Sequence, residues 1–377
     1  MYCLHVVGAR PNFMKAAPLI RALACRRGVK QKVVHTGQHY DHGMSEVFFQ
    51  ELEIPKPHFN LAVGSGTHSQ QTSLIMSRFE QVAVEENPDL VIVYGDVNST
   101  LAATLVCSKL HLTVAHVEAG LRSFDRTMPE EINRVLTDQI ADFLFTPSQD
   151  ANENLLREGI PQNKIHLVGN IMIDTLIRLR PRTADIESFP LPDRFALVTL
   201  HRPSNVDDCE MLPRILSVLC EISADLGVIF PCHPRTRQKL AEMKFQAPKG
   251  LLIVEPQSYL QFLQLQQRST LVITDSGGIQ EETTFLGVPC LTLRDTTERP
   301  VTVTLGTNML IGRRPERLHD EVRGVLAGKN KRGCIPPLWD GHCAERIADC
   351  LCNIPRFTSF GGGVRRHDDA VTSCLAN

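Results

Sequence analysis

LVITDSGGIQEE (residues 271–282) is the stretch on which the reading of this fold turns. Leu271, Val272 and Ile273, with β-branched Thr274, read as a buried strand, which passes through Ser276-Gly277-Gly278 directly into a helix. Two glycines let the backbone approach a ligand closely, and the free N–H groups at the helix start suit a diphosphate. Glu282, about one helical turn further on, can accept two hydrogen bonds from ribose hydroxyls. A plain tight strand-to-helix turn would look similar in isolation, so the reading depends on the rest of the chain.

Working outward, the same alternation recurs. In the second half, Phe195–Leu200, Gly227–Pro231, Leu251–Glu255 and Cys290–Leu293 read as further strands with helices between them. In the first half, strands are expected at Cys3–Val7, Lys32–Thr36, Leu90–Tyr94, Thr113–Val117, Phe143–Thr146 and Lys164–Val168. Helices are expected at 11–25, 69–86, 99–110, 130–142 and 150–158. Strands rich in Val, Ile and Leu that alternate with helices indicate parallel sheets covered on both faces. The alternation pauses at RPRTADIESFPLPDR (180–194), which reads as an interdomain connection. The α/β chain is thus expected to form two βα domains, 1–175 and 190–350, facing across a cleft. The C-terminal GGGVRRHDDAVTSCLAN carries no periodicity and reads as a mobile tail.

In parallel βα sheets, ligands bind beyond the carboxyl ends of the strands. Here the strands run into Gly8-Ala9-Arg10-Pro11 (with Lys15 one turn on), Gly37-Gln38-His39, Gly95-Asp96, Glu118-Ala119-Gly120, His201-Arg202, His233-Pro234-Arg235 and Asp275-Ser276. So many polar strand ends point to a cleft lined from both sides. HVEAGLRSFDRTMPEEINRVLTD (116–138) adds the densest charge. Pro129 suits a first helical turn. Ile132, Val135, Leu136 and Ile140 give the apolar face of that helix, while Glu130, Arg134 and Asp138 repeat along the other. Alone, that polar side would read as a solvated face with ordinary charge pairs.

Composition narrows the classes. At 377 residues the chain is too long for one core, and a net charge of −2 argues against a general nucleic-acid or membrane-surface binder. Any anionic ligand must be held by local groups. The twelve cysteines are scattered without a CxxC, several within apolar runs, which reads as reduced thiols in a cytoplasmic protein. No signal peptide is expected, and no apolar run approaches the roughly 20 residues of a membrane span. There is neither a G-x-G-x-x-G fingerprint nor a P-loop, which disfavours NAD chemistry and P-loop hydrolysis. His35, His39 and His42 lack partners at ligand spacing, so no metal or cofactor is expected.

Taken together, the motifs resemble the non-hydrolysing UDP-N-acetylglucosamine 2-epimerases over essentially residues 1–350. They are Gly8-Ala9-Arg10-Pro11 with Lys15, Gly95-Asp96 with Asn98-Ser99-Thr100, and His116-Val117-Glu118-Ala119-Gly120-Leu121-Arg122. Pro129-Glu130-Glu131-Ile132-Asn133-Arg134, Thr199-Leu200-His201-Arg202, Thr274 to Glu282, and Arg294-Asp295-Thr296-Thr297-Glu298-Arg299-Pro300 complete the set. The resemblance implies a GT-B fold of two Rossmann-like domains, a homodimer, and a C-terminal segment (351–377) that crosses back to the first domain. It implies catalytic roles for Asp96, Glu118, Glu130 and His201, supported by Arg134. Arg10, Lys15, Gln257, Phe262, Ser276, Gly277, Gly278, Glu282 and Arg299 would hold UDP.

The chemistry suits these residue types. The C2 proton of an N-acetylhexosamine is not next to a carbonyl, so direct deprotonation to a stabilised anion is not available. A workable route expels UDP from C1 as C2 loses its proton, giving 2-acetamidoglucal, and then re-adds UDP after protonation on the opposite face. That needs an acid and a base on the two faces, carboxylates for the positive character at C1, and cations for the diphosphate. Asp96, Glu118 and Glu130 would serve the sugar end, His201 or Arg10 the diphosphate. Three clustered carboxylates should titrate as a coupled unit, with at least one pKa raised.

Two departures bear on substrate and regulation. Gln38-His39-Tyr40-Asp41 stands where several bacterial members read Gln-His-Arg-Glu, a segment that helps bind a second, regulatory UDP-GlcNAc. The Tyr-Asp version also occurs in relatives acting on UDP-2,3-diacetamido-glucuronic acid. After His201-Arg202 the chain reads Pro203-Ser204-Asn205 rather than Arg-Glu. Hydrolysing 2-epimerases typically carry Arg-Ala-Glu where this chain has Arg10-Pro11-Asn12, which disfavours hydrolysis. A GT-B glycosyltransferase would share the fold but would not need Asp96, Glu118 and Glu130 together.

Overall fold

The computed structural model describes residues 1–38, 51–186 and 190–353, apart from the side chains of Arg10 and Asp185. Strands β1 (Tyr2–Val7), β2 (Lys30–His35), β3 (Phe59–Asn60), β4 (Leu90–Tyr94), β5 (Val114–Val117), β6 (Phe143–Thr146) and β7 (Ile165–Leu167) form one sheet. Its order is β3-β2-β1-β4-β5-β6-β7, and every pairing is parallel. A second parallel sheet has the order β10-β9-β8-β11-β12-β13. It comprises β8 (Phe195–Thr199), β9 (Gly227–Pro231), β10 (Leu251–Val254), β11 (Leu271–Thr274), β12 (Cys290–Thr292) and β13 (Asn308–Leu310).

Strands this apolar form because helices cover both faces, and their side chains divide accordingly. Cys3 and Val7 of β1 face one helical layer, Leu4 and Val6 the other. In β8, Ala196 and Val198 face one layer and Phe195 and Leu197 the other. Two short edge strands, β3 and β13, of two and three residues, lie outside the expected set. Asn308 is buried in β13 because its amide donates to Gln280 Oε1 and Thr302 Oγ1.

Each sheet reverses its winding once, between β1 and β4 and between β8 and β11. These are the points where such sheets open a crevice for ligands. Across the first crevice, Asn12 accepts from the N–H groups of Gly8 and Ala9 and donates to the Tyr94 carbonyl. Across the second, Asp275 receives the N–H groups of His201 and Arg202.

The chain's return to the first sheet begins earlier than the expected residue 351. Trp339, the only tryptophan in the sequence, is buried against Ile173 and Val301, and its indole N–H donates to the Pro147 carbonyl at 3.0 Å. Helix Cys343–Cys352 then packs on helices Arg10–Ala24 and Ile171–Leu179. Asp174 fixes its start by accepting from the N–H groups of Cys343 and Ala344, at 3.2 and 2.7 Å. The apolar side of this helix (Cys343, Ala344, Ile347, Ala348, Leu351) needs a core to cover it, and the first domain supplies one. His39, Tyr40 and Asp41, His42 and the tail 361–377 lie outside the described residues. Among the described residues, no helix is long and apolar enough to cross a membrane, and the cysteines are free thiols.

Candidate active site

Glu118, immediately after β5, is the centre of a buried polar cluster between the two sheets. Its backbone takes the left-handed conformation with φ 73°, uncommon for a non-glycine residue and costing of order 1–3 kcal/mol. The surroundings impose it: the Glu118 and Ala119 N–H groups both reach the Phe145 carbonyl at 3.0 Å. One carboxylate oxygen lies 2.6 Å from Lys15 Nζ and the other accepts from Arg299 Nη2 at 2.9 Å. Lys15 therefore comes from the first domain and Arg299 from the second. Gly95 makes room for the lysine, because a Cβ there would sit 2.7 Å from Nζ.

Helix Pro129–Ile140 is turned the opposite way from its apolar periodicity. Its buried residues are Glu131, Asn133, Arg134, Thr137 and Asp138, whereas Leu136 is 43% exposed. The polar side is inside because it holds the loops that form the site. Glu131 accepts from the N–H groups of Ser123 and Phe124, both at 2.9 Å, and pairs with Arg134 at 2.7 Å. Burial pushes the Glu131 carboxyl up, but those donors and Arg134 outweigh it and hold the pKa below the usual value. Arg134 in turn bonds Asp96. Asp138, fully buried, binds His116 Nδ1 at 2.7 Å, the Gly120 N–H at 3.0 Å and Arg122 at 2.7 Å. Glu130, one residue from Glu131 and so rotated about 100° around the axis, is half-buried and felt by the Arg202 guanidinium across the cleft.

The second domain contributes the turn after β8 and the helix after β11. Buried Asp275 bonds His201 Nδ1 at 2.7 Å. A carboxylate can only accept, so Nδ1 carries the proton and Nε2 is turned outward, on a side chain 56% exposed. Helix Gly277–Leu286 begins against Arg299: a Cβ on Gly277 would lie 2.3 Å from Arg299 Nη1. Ser276, Gly277 and Gly278 stand half-buried at this helix start. Glu282 is buried, with its oxygens taken by Tyr259 Oη at 2.9 Å and Gln266 Nε2 at 2.6 Å. Its pKa is raised, chiefly by burial. Gln257 and Phe262, both half-buried, flank Tyr259 in sequence.

The structure thus joins Lys15, Glu118 and Arg299 by ion pairs, with the Asp96–Arg134 pair close enough for Asp96 to act electrostatically on Arg299. His201 is the more exposed residue and Glu130 is half-buried, while Glu282 bonds Tyr259 and Gln266 of helix Tyr259–Arg268, which also carries Phe262. The Arg10 side chain lies outside the described residues. Sequence reasoning missed Glu281, Glu298, Arg294 and Glu131 as site components. Glu281 pairs with Arg299 at 2.9 Å, and Glu298 pairs with both Arg299 and Arg294. Burial pushes Glu298 up, yet the two guanidiniums hold it well below the usual carboxylate range. Like Glu282, Glu281 has a raised pKa, at about 7, mainly through burial. Its signal was present as the first glutamate of Gln280-Glu281-Glu282, but only the helix phase shows which neighbour faces the cleft.

Comparisons with known proteins identify the family. A family model described as UDP-N-acetylglucosamine 2-epimerase matches residues 21–352. A UDP-N-acetylglucosamine 2-epimerase of Methanocaldococcus jannaschii is 45% identical over 359 residues, covering 92% of this chain and 97% of that protein. A UDP-2,3-diacetamido-2,3-dideoxy-D-glucuronate 2-epimerase of Pseudomonas aeruginosa is 42% identical over 357 residues, covering 94% of this chain and 100% of that one. The crystal structure of the M. jannaschii enzyme in complex with UDP-GlcNAc and UDP superposes with a TM-score of 0.85 at 44% identity, over 93% of this chain and 99% of that one. Two parallel sheets opening toward each other at their winding reversals are the GT-B architecture, as expected from the sequence. With a matching model across most of its length and relatives this similar end to end, the chain belongs to the UDP-N-acetylglucosamine 2-epimerase family.

Proposed function

We propose that the protein interconverts UDP-N-acetylglucosamine and UDP-N-acetylmannosamine by eliminating UDP to 2-acetamidoglucal and re-adding it. The observation that carries this reading is the convergence of Asp96 and Glu118 with Lys15, Arg134 and Arg299 between the two domains. Carboxylates beside cations in a buried cleft can stabilise positive character at C1 and the departing diphosphate together. In this reading Asp96, Glu118 and Glu130 act at the sugar, supported by Arg134. His201 Nε2 and Arg10 act on the diphosphate, with Lys15, Arg299 and the N–H groups at Ser276, Gly277 and Gly278. Gln257 and Phe262 contact the base and Glu282 the ribose.

The test is proton NMR after incubation with UDP-GlcNAc in D2O. UDP-ManNAc deuterated at C2, without accumulating UDP, is the expected outcome. Free ManNAc with UDP would assign the hydrolysing reaction instead. Glu282→Ala should weaken UDP affinity by about tenfold or more, through loss of a charge-assisted hydrogen bond of roughly 1.5–3 kcal/mol. Unchanged affinity by calorimetry would remove Glu282 from the ribose site.

A second substrate reading rests on Arg202 and Arg294. Arg294 Nη1 is buried without a hydrogen-bond partner. Arg202 spends its Nε–H on the Asp275 carbonyl, with Nη1 3.7 Å from Met128 Sδ. Two guanidiniums with spare donors suit a sugar carrying an additional carboxylate, such as a diacetamido-uronate. Turnover of UDP-2,3-diacetamido-glucuronate exceeding that of UDP-GlcNAc would favour it.

The protein is further proposed to act as a cytoplasmic homodimer. Helices His68–Glu86, Asn98–Leu110 and Pro129–Ile140 pack side by side, with Leu74 40% and Leu136 43% exposed. Ile132, Val135 and Ile140 are only half-buried beside Leu136. A second copy would cover this apolar face. Leu136→Arg should then shift a dimer toward monomer in light scattering, and an unchanged mass would move the interface elsewhere.

A further inference from the structure

Arg299 is gripped by three carboxylates. Glu118 reaches it from the first domain at 2.9 Å, Glu281 binds its Nε at 2.9 Å, and Glu298 binds Nη1. Lys15 also pairs with Glu118, and Arg294 with Glu298. The connected core therefore contains three cations (Lys15, Arg294, Arg299) and three carboxylates (Glu118, Glu281, Glu298), all of them buried. With all three carboxylates ionised, its charges balance. A diphosphate arriving at the start of the 277–286 helix, where Arg299 lies, adds at least two negative charges to a balanced, poorly solvated cluster. Low-dielectric surroundings make that imbalance expensive.

The three carboxylates are not equally able to relieve it. Glu118 has a cation on each oxygen, and so does Glu298. Glu281, 1% exposed, has a single partner, Arg299 on Oε1, and its Oε2 is buried with no hydrogen-bond partner. We propose that Glu281 is a proton-accepting positioning residue: Oε2 takes a proton from bulk water when a UDP-sugar binds and returns it on release. The new O–H bond neutralises the carboxylate, so that Arg299 answers to the diphosphate while Oε1 stays beside its Nε. The balance is one proton from buffer to Glu281 per UDP-sugar bound.

The charged groups facing Glu281 are Arg299, Glu118 and Lys15, with Glu298 on the far side of the Arg299 guanidinium. Helix Ile171–Leu179, which also packs on the 277–286 helix, turns its Asp174 toward Cys343 and Ala344 instead. With its pKa raised to about 7, Glu281 holds its proton below that pH in the free protein and loses it above. An added anion nearby raises the pKa further. Proton uptake on binding should accordingly be small near about pH 6 and approach one near about pH 8.

This inference rests on the UDP-sugar reading above, and titration calorimetry with UDP-GlcNAc in buffers of different ionisation enthalpy separates the two. Its diphosphate diester does not titrate near neutrality, and epimerisation itself consumes no proton. The expected result is uptake of close to one proton at about pH 8, with affinity weakening by up to about tenfold per pH unit above 7. Glu281→Gln should still bind UDP-GlcNAc but abolish the uptake and flatten the pH dependence. Infrared difference spectra of the wild type should show a protonated carboxyl band appearing on binding at about pH 8, a readout that needs no variant. Binding without uptake, or uptake undiminished in Glu281→Gln, would overturn the role of Glu281. Absence of UDP-GlcNAc binding would instead remove the substrate reading on which it rests.

Discussion

Glu118→Gln is expected to lower the rate of epimerisation by about 10²–10⁴-fold, the range for removing a group that moves or balances a proton in the transition state. UDP affinity should be kept or improved. Glutamine preserves the shape of the side chain and leaves one negative charge fewer beside Lys15 and Arg299, the cations proposed to receive the diphosphate. The two effects therefore run in opposite directions, which a misfolded protein would not reproduce. Initial rates by NMR and UDP binding by calorimetry on one preparation check them together. Turnover within about threefold of wild type would take Glu118 out of the chemistry.

Asp138→Ala should be the most destabilising single change in the first domain. Asp138 is fully buried and serves His116, Arg122 and the Gly120 N–H at once. Its removal strands these partners, and breaking a buried ionic network from one side costs about 3–5 kcal/mol. For a domain of this size that corresponds to a fall of roughly 6–20 °C in the first unfolding transition. A shift under about 2 °C by calorimetry would mean that His116 and Arg122 find other partners. Activity should fall as well, because the strand end and turn fixed by Asp138 carry Glu118.

The helix that contains Asp138 marks where reading the sequence succeeds and where it stops. Its Pro129 start and its two opposed faces are legible in the sequence, since they depend on local sterics and period, although the helix ends at Ile140, two residues before the expected 142. Which face points inward is not. Periodicity predicts that the apolar stripe of Ile132, Val135, Leu136 and Ile140 meets the core, yet the domain buries Glu131, Arg134 and Asp138. Hydrogen bonds to loop N–H groups and to distant cations override the transfer preference of four aliphatic side chains, whose exposed surface remains available for a second copy. Glu281 and Glu298 stayed hidden for a related reason. Each is adjacent to a residue the motif singles out, and nothing along the chain says that Arg299 will need three carboxylates.

Local sequence alone determined the parallel βα architecture and its two sheets, because buried strands and amphipathic helices are set by near neighbours. It also placed Asp96 and Glu118 at strand ends, Lys15 one turn past another and Arg134 on the polar face of a helix, while Arg299 was named only by the family resemblance. Tertiary structure alone decided that these residues meet, that the last described helix is back on the first domain by residue 343, and that Glu281 Oε2 is left without a partner. Charge balance in a buried cleft is a property of three-dimensional proximity: Glu118 and Arg299 lie 181 positions apart in the chain, and only folding brings them within a hydrogen bond.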